Sequence, residues 1–289
     1  MKKPLFTGTC TALVTPFLDE EVNYPMLEQL LRRQVDAGIE AVVISGTTGE
    51  APTLTDAEKL ECFRRAKAYV GDSCKIIAGT GSNSTLHSQT LSRAAEECGV
   101  DGLLLVSPYY NKATASGLVT HFTAVAKAVS IPVILYNVPG RTAVDVPVSA
   151  YQTLQRIPNI TGVKEASADI SKITRIHSAC NRDFTVWTGN DAMITPAISL
   201  GASGVISVLS NIFPEQTQAM AYAALNGDFD TAAALQIQLQ PLIDLLFSEV
   251  SPIPVKEAMS LMGFDCGVCR LPLTKATDET RKKLLQLLG

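Results

Sequence analysis

Tryptophan occurs once in this 289-residue chain, histidine three times, and the cysteines do not group. His87, His121 and His177 lie far apart, and of seven cysteines only Cys266 and Cys269 form a C-x-x-C. A structural zinc site needs a second pair at suitable spacing, so no metal is expected. An odd number of scattered thiols points to reduced, mostly structural cysteines in a cytosolic protein. A large excess of one charge is also missing. The 24 basic and 28 acidic residues sum to −4, which argues against nucleic acid and anionic membranes as partners. An anionic substrate would have to be held by a local site. Long apolar runs are absent too: the longest uncharged stretch, 192–214, is broken by Pro196, Gly201, Gly204 and several hydroxyls, so it cannot be a membrane span. The N-terminus begins faintly like a signal peptide, but Thr7, Gly8, Thr9 and Thr11 interrupt any apolar core. A soluble, cytoplasmic protein is expected.

What is present is core material, 46% hydrophobic against 18% charged, arranged with a clear period. Apolar, β-branched runs recur at 8–14, 41–45, 75–79, 102–106, 133–136, 160–164, 184–188 and 204–207. They are spaced by roughly 20 to 35 residues, the length of a βα unit, and buried parallel strands read as unbroken apolar runs. Amphipathic stretches at 24–37, 56–70, 84–98 and 116–129 lie between them. Thr55-Asp56-Ala57-Glu58 resembles a capping box, and Gly38, Gly71 and Gly99 sit where helices should stop. Eight such units predict an α/β fold, a (β/α)₈ TIM barrel over 1–225. Helical segments at 229–246, 256–262 and 279–288 form an appended C-terminal region, 226–289.

In such a barrel the chemistry lies past the C-terminal strand ends. Lys164 closes the apolar run 160–163. It is either a lysine reaching solvent or paired with Glu165, or a Schiff-base nucleophile. As a nucleophile the amine has to be neutral, which means bringing an ordinary value of about 10.4 down toward 7–8, roughly 4 kcal/mol. Tyr136 ends its run similarly, either as core or as a proton carrier for carbinolamine formation. Thr47 and Thr48 lie between Gly46 and Gly49, a turn able to offer N–H groups to a carboxylate. Arg141, in Val-Pro-Gly-Arg-Thr, has a planar fork suited to a carboxylate, or to a surface salt bridge. Lys256, after two prolines outside the repeats, reads as structural.

Gly-Thr-Thr-Gly-Glu at 46–50, Tyr-Tyr-Asn at 109–111, Tyr-Asn-Val-Pro-Gly-Arg-Thr at 136–142, Gly-Val-Lys-Glu-Ala at 162–166 and Gly-Val-Ile-Ser-Val at 204–208, with 252–256 and 270–273 in the tail, resemble the 4-hydroxy-tetrahydrodipicolinate synthase (dihydrodipicolinate synthase) family. That family falls within the N-acetylneuraminate lyase and class I aldolase superfamily. The likeness runs along nearly the whole chain in order. It implies a lyase that condenses pyruvate with L-aspartate 4-semialdehyde on the lysine and diaminopimelate pathway, with no cofactor. Lys164 would form the imine, and Tyr136 would move protons with Thr47 and Tyr110 in a hydroxyl relay. Tyr110 would reach a neighbouring subunit's site in a homotetramer built as a dimer of dimers. Thr48 would bind the pyruvate carboxylate and Arg141 that of the semialdehyde, while the backbones of Gly189 and Ile206 would border the pocket.

Sister lyases share the lysine and tyrosine, among them N-acetylneuraminate lyase and 2-keto-3-deoxy sugar acid aldolases. They usually lack an arginine at the place of Arg141, and neuraminate lyases carry Ser-Thr where this chain has Thr47-Thr48. A catalytically silent barrel is the remaining alternative, opposed by the intact Lys164, Tyr136, Thr47 and Tyr110. Lysine-inhibited members hold the inhibitor through a serine, two histidines and a glutamate. The matching positions here are Ala51, Asp56, Lys59 and His87, with Asn83 and Tyr109 kept. Lys59 would set one ammonium against another, so weak or absent feedback by lysine is expected.

Overall fold

The apolar runs become parallel strands because both of their faces find a hydrophobic partner. In the computed structural model, which describes residues 4–289, eight of them close into a barrel with surrounding helices, as expected. The strands are β1 (Gly8–Ala12), β2 (Ala41–Ile44), β3 (Lys75–Gly79), β4 (Gly102–Val106), β5 (Val133–Asn137), β6 (Ile160–Glu165), β7 (Thr185–Thr188) and β8 (Gly204–Ser207). Each is followed by its helix: α1 (Tyr24–Asp36), α2 (Asp56–Val70), α3 (Thr85–Glu97), α4 (Ala115–Ala126), α5 (Val148–Leu154), α6 (Ile170–Ala179), α7 (Ile194–Ser199) and α8 (Pro214–Leu225). Three more follow, α9 (Phe229–Leu246), α10 (Ile253–Leu261) and α11 (Asp278–Leu288). No described helix is long and apolar enough to cross a membrane.

Alternation along the strands separates two cores. Cys10, Val43, Ile77, Leu104, Ile134, Tyr136, Trp187 and Ile206 pack together in one, and Val42, Ile76, Leu103, Leu135, Val163, Val186 and Val205 join the helices in the other. The first fills the barrel and the second lies under the helix ring. The capping box forms as read, with the Thr55 hydroxyl accepting from the Glu58 N–H and the Thr55 N–H donating to the Glu58 carboxylate. A two-residue hairpin, Phe17–Leu18 with Glu21–Val22, carries no glycine signal. Asp19 and Glu20 make its turn in the left-handed region instead. All seven cysteines are free, and burial pushes the thiols of Cys266 and Cys269 up to about 12, which makes poor nucleophiles of them.

Candidate active site

One extra residue in β6 builds the centre of the site. Val133 pairs with Ile160, but the next pair is Ile134 with Gly162, leaving Thr161 bulged and tied by its hydroxyl to the Val133 carbonyl at 3.2 Å. A one-residue shift moves every later side chain to the other face. Tyr136 therefore pairs with Lys164 instead of Val163, and both point into the barrel. The ladder continues through Asn137 and Glu165, so each stands one residue inside its strand end rather than at the tip.

Lys164 is 6% exposed, and its Nζ lies 4.3 Å from the Tyr136 ring centroid. Among the described residues its ammonium has no ion-pair and no hydrogen-bond partner. Its stem rests against Gly189, where a Cβ would come within 2.6 Å of Lys164 Cε. Trp187, paired with Lys164 on the other side, is fully buried and stacks on Phe6 with centroids 4.9 Å apart. Glu165, the obvious counter-ion in sequence, points to the outer face. Its carboxylate accepts from Asn137 Nδ2 and the Ser167 N–H, 3.8 Å from Lys172. Burial raises the Glu165 carboxyl above its usual range, and Lys172, Ser167 and Asn137 offset only part of that. Asp191 is buried behind the site and accepts from the N–H groups of Val208 and Leu209 at 3.0 Å. Burial raises its carboxyl too, against the pull of Ser207, those N–H groups and the Lys164 charge.

Lys164 opens on a cavity of about 640 Å³ lined by Thr47, Thr48, Tyr136, Arg141 and Gly189. The turn after β2 is held tight, with the Glu50 N–H donating to the Thr47 carbonyl at 3.1 Å and the Thr15 hydroxyl to the Gly49 carbonyl at 2.7 Å. No described group accepts the N–H of Thr47, Thr48 or Gly49. Thr47 and Thr48 line the cavity, and two successive free donors there are suited to a carboxylate. Arg141 projects from a four-residue helical turn, Pro139–Thr142, and its Nη2 donates to the Ser251 carbonyl at 3.2 Å. A further part of the wall comes from the region after the barrel, through Ile243 near the end of α9 and Phe247, Glu249, Val250 and Ser251 in the connection to α10. The sequence motifs did not mark these residues, and the only local hint of them is the apolar run at the end of 229–246.

The remaining expected residues fall in three places. Ile206 is enclosed in the inner core, and the side chain at the cavity wall on that strand's end is Val208. Tyr110 does not line its own chain's cavity. It is 89% exposed with a left-handed backbone, φ +71°, which is uncommon for a residue with a Cβ. Ala51, Asp56, Lys59, Asn83, His87 and Tyr109 all line a second cavity of about 600 Å³. Thr47, Tyr136, Val138 and Arg141 line both cavities. In the second, Asp56 accepts from His87 Nε2 at 2.8 Å and lies 3.4 Å from Lys59 Nζ. Partial burial works against the Asp56 charge, but the His87 hydrogen bond and the Lys59 ammonium prevail and hold the carboxyl below its ordinary value.

Residues 5–289 match the sequence profile of the dihydrodipicolinate synthetase family. The chain is 46% identical over 288 residues to a 4-hydroxy-tetrahydrodipicolinate synthase of Acetivibrio thermocellus, spanning 100% of this chain and 98% of the relative. Identity to the synthase of Thermoanaerobacter pseudethanolicus is 44% over 287 residues, 99% of this chain and 97% of the relative. Among solved structures, the dihydrodipicolinate synthase of Aquifex aeolicus superposes with TM-score 0.97 at 41% identity, over 98% of this chain and 97% of that one. The Cyanidioschyzon merolae enzyme with lysine bound gives TM-score 0.96 at 38% identity, over 99% and 98%.

Proposed function

The chain belongs to the dihydrodipicolinate synthetase family, and on that premise we propose that it condenses pyruvate with L-aspartate 4-semialdehyde through an imine on Lys164. One observation carries the assignment to Lys164. It is an enclosed lysine without a counter-ion, facing a tyrosine ring at 4.3 Å and opening on a cavity with unpaired N–H groups on one wall. The pyruvate carboxylate is held at the Thr47–Thr48 turn, which brings the ketone carbon to Lys164. The amine attacks that carbon, the carbinolamine loses water, and the imine gives up a methyl proton to become an enamine that adds to the aldehyde. Tyr136 and Thr47 carry the protons. Arg141 takes the carboxylate of the semialdehyde. Gly189 keeps room for the lysine stem, and Val208, rather than Ile206, borders the pocket at the end of β8. This is the first committed step of the diaminopimelate and lysine pathway, carried out in the cytoplasm without a cofactor.

Tyr110 leaves its own subunit with its ring in solvent, and we assign it to a neighbour's relay in a homotetramer built as a dimer of dimers. Asp56, Lys59 and His87 make the second cavity a poor receptor for free lysine, because Lys59 meets the ligand's ammonium with a like charge. The test of the reaction is borohydride reduction in the presence of pyruvate, followed by peptide mass mapping. The expected result is a single adduct on Lys164 that is absent from Lys164→Ala. An unmodified Lys164 in the native enzyme refutes the assignment. Aspartate semialdehyde against N-acetylmannosamine as acceptor separates the synthase from the sister lyases.

A further inference from the structure

Glu50 follows the Thr47–Thr48–Gly49 turn directly, and its side chain turns away from the cavity into the protein. It is 2% exposed with a left-handed backbone, φ +56°. One carboxylate oxygen accepts from Lys256 Nζ at 2.9 Å and the other from the Arg270 N–H at 2.8 Å. Lys256, on α10, is 2% exposed, donates also to the Val268 carbonyl at 3.2 Å, and lies 4.3 Å over the Phe17 ring. Arg270 covers the same ring at 4.3 Å and is anchored by Glu58 and the carbonyls of Thr53 and Glu20. The same tail segment also holds Arg141 through the Ser251 carbonyl.

A buried ion pair is a weak source of stability, since apolar replacements of both partners are often neutral. What this one does is geometric. A glutamate held in the left-handed region persists only when its surroundings over-determine it, and both oxygens here are fixed by residues more than 200 positions away. We propose that the Glu50–Lys256 pair is a positioning device, through which the helical region after the barrel aims the threonine turn at the pyruvate carboxylate. The inference rests on the reading of that turn as the carboxylate site. Lys256 touches no reacting atom on this view and sets affinity for pyruvate rather than the chemistry.

The experiment measures borohydride trapping against pyruvate concentration in Lys256→Met, Lys256→Arg and the double variant Glu50→Gln/Lys256→Met, with melting temperatures alongside. Misplacing a binding group by about 1 Å costs up to about a hundredfold. Half-saturation should therefore rise by about tenfold or more in Lys256→Met, while the rate at saturating pyruvate changes little. Lys256→Arg should recover part of the loss. The single Met variant leaves a buried carboxylate unpaired and can fail to fold, so the double variant decides, with a melting temperature near that of the native enzyme and half-saturation still raised. A folded double variant with native half-saturation overturns the inference. In the native enzyme, pyruvate should slow amide exchange across 268–270, and unchanged exchange there also overturns it. Absence of any adduct in the native enzyme strikes the underlying reaction instead, and this inference falls with it.

Discussion

Gly189 is the residue whose replacement separates activity from stability most sharply. A Cβ there would lie 2.6 Å from Lys164 Cε, 2.8 Å from Ala166 Cβ and 3.0 Å from Lys164 Cγ. Ordinary contact begins at 3.4 Å, so the lysine stem has to give by roughly 0.8 Å. Cε is far along a flexible chain and can swing, whereas Cγ moves only by leaving its χ1 rotamer and Ala166 Cβ only with its backbone. Overpacking of this kind costs about 1–3 kcal/mol, so Gly189→Ala should fold with its melting temperature lowered by a few degrees. The swing carries Nζ with it, and displacing a reacting group by about 1 Å costs up to about a hundredfold. Stopped-time borohydride trapping at saturating pyruvate, corrected for the folded fraction, should show the adduct forming between ten and a hundred times more slowly, to order of magnitude. A folded Gly189→Ala enzyme that traps pyruvate within about twofold of the native rate would refute the claim that the glycine keeps the lysine in place.

Arg141→Ala should raise KM for aspartate semialdehyde by about ten- to a hundredfold, the worth of one charge-assisted carboxylate contact, and leave pyruvate trapping unchanged. Steady-state kinetics with each substrate varied in turn checks this. Lysine titrated into the assay should leave turnover essentially unchanged below millimolar concentration, and strong inhibition there would contradict the like-charge argument at Lys59. His121 gives a pH signature of stability. Burial holds its imidazole down at about 4 against an ordinary 6.5. The unfolded chain therefore takes up a proton before the native one does. The stability is complete above 6.5 and is lost as pH falls toward 4, by up to about 3 kcal/mol. Urea unfolding across that window should show this slope flattened in His121→Gln.

Much of the fold was legible because parallel barrel strands announce themselves as apolar runs, and all eight runs became strands. The helices at 56–70 and 229–246 match to the residue, where capping residues and amphipathic spacing agree. The bulge at Thr161 was not legible. An extra residue inside Ile-Thr-Gly-Val leaves the stretch as apolar and β-branched as before, and only pairing with β5 reveals the shift. Lys164 and Tyr136 could thus be chosen by type and position, but not seen as register partners. The prolines before Lys256 suggested a structural residue, yet its partner Glu50, 206 residues away, was beyond local pattern. The cavity wall from Ile243 to Ser251 escaped for the same reason, since nothing in a helix end says which barrel mouth it will cover.

Glu165 stood as the alternative partner of Lys164, and strand alternation separates the two. Next to Lys164 in sequence, it would quench a nucleophilic amine if the two shared a face. Instead its carboxylate is on the outer face with Asn137 and Lys172, and Lys172 is itself buried and paired with Asp145. The arrangement makes Lys172→Met a decisive variant. Removing the cation leaves Glu165 buried with only Asn137 and the Ser167 N–H to compensate it, a loss of about 3 kcal/mol at neutral pH, the low end for a broken buried pair because those donors remain and Asp145 is half exposed. Burial already raises the Glu165 carboxyl, with Lys172 the largest opposing influence, so the variant raises it further. An acid with a raised native value binds its proton in the folded state first, and stability then falls as pH rises through that value. The deficit relative to the native enzyme should therefore be larger at about pH 8 than at about pH 5 in chemical denaturation. Pyruvate trapping by the folded fraction should remain close to native at both. If the deficit grew in acid instead, or if trapping collapsed with the fold intact, the outer carboxylate would not be insulated from the amine.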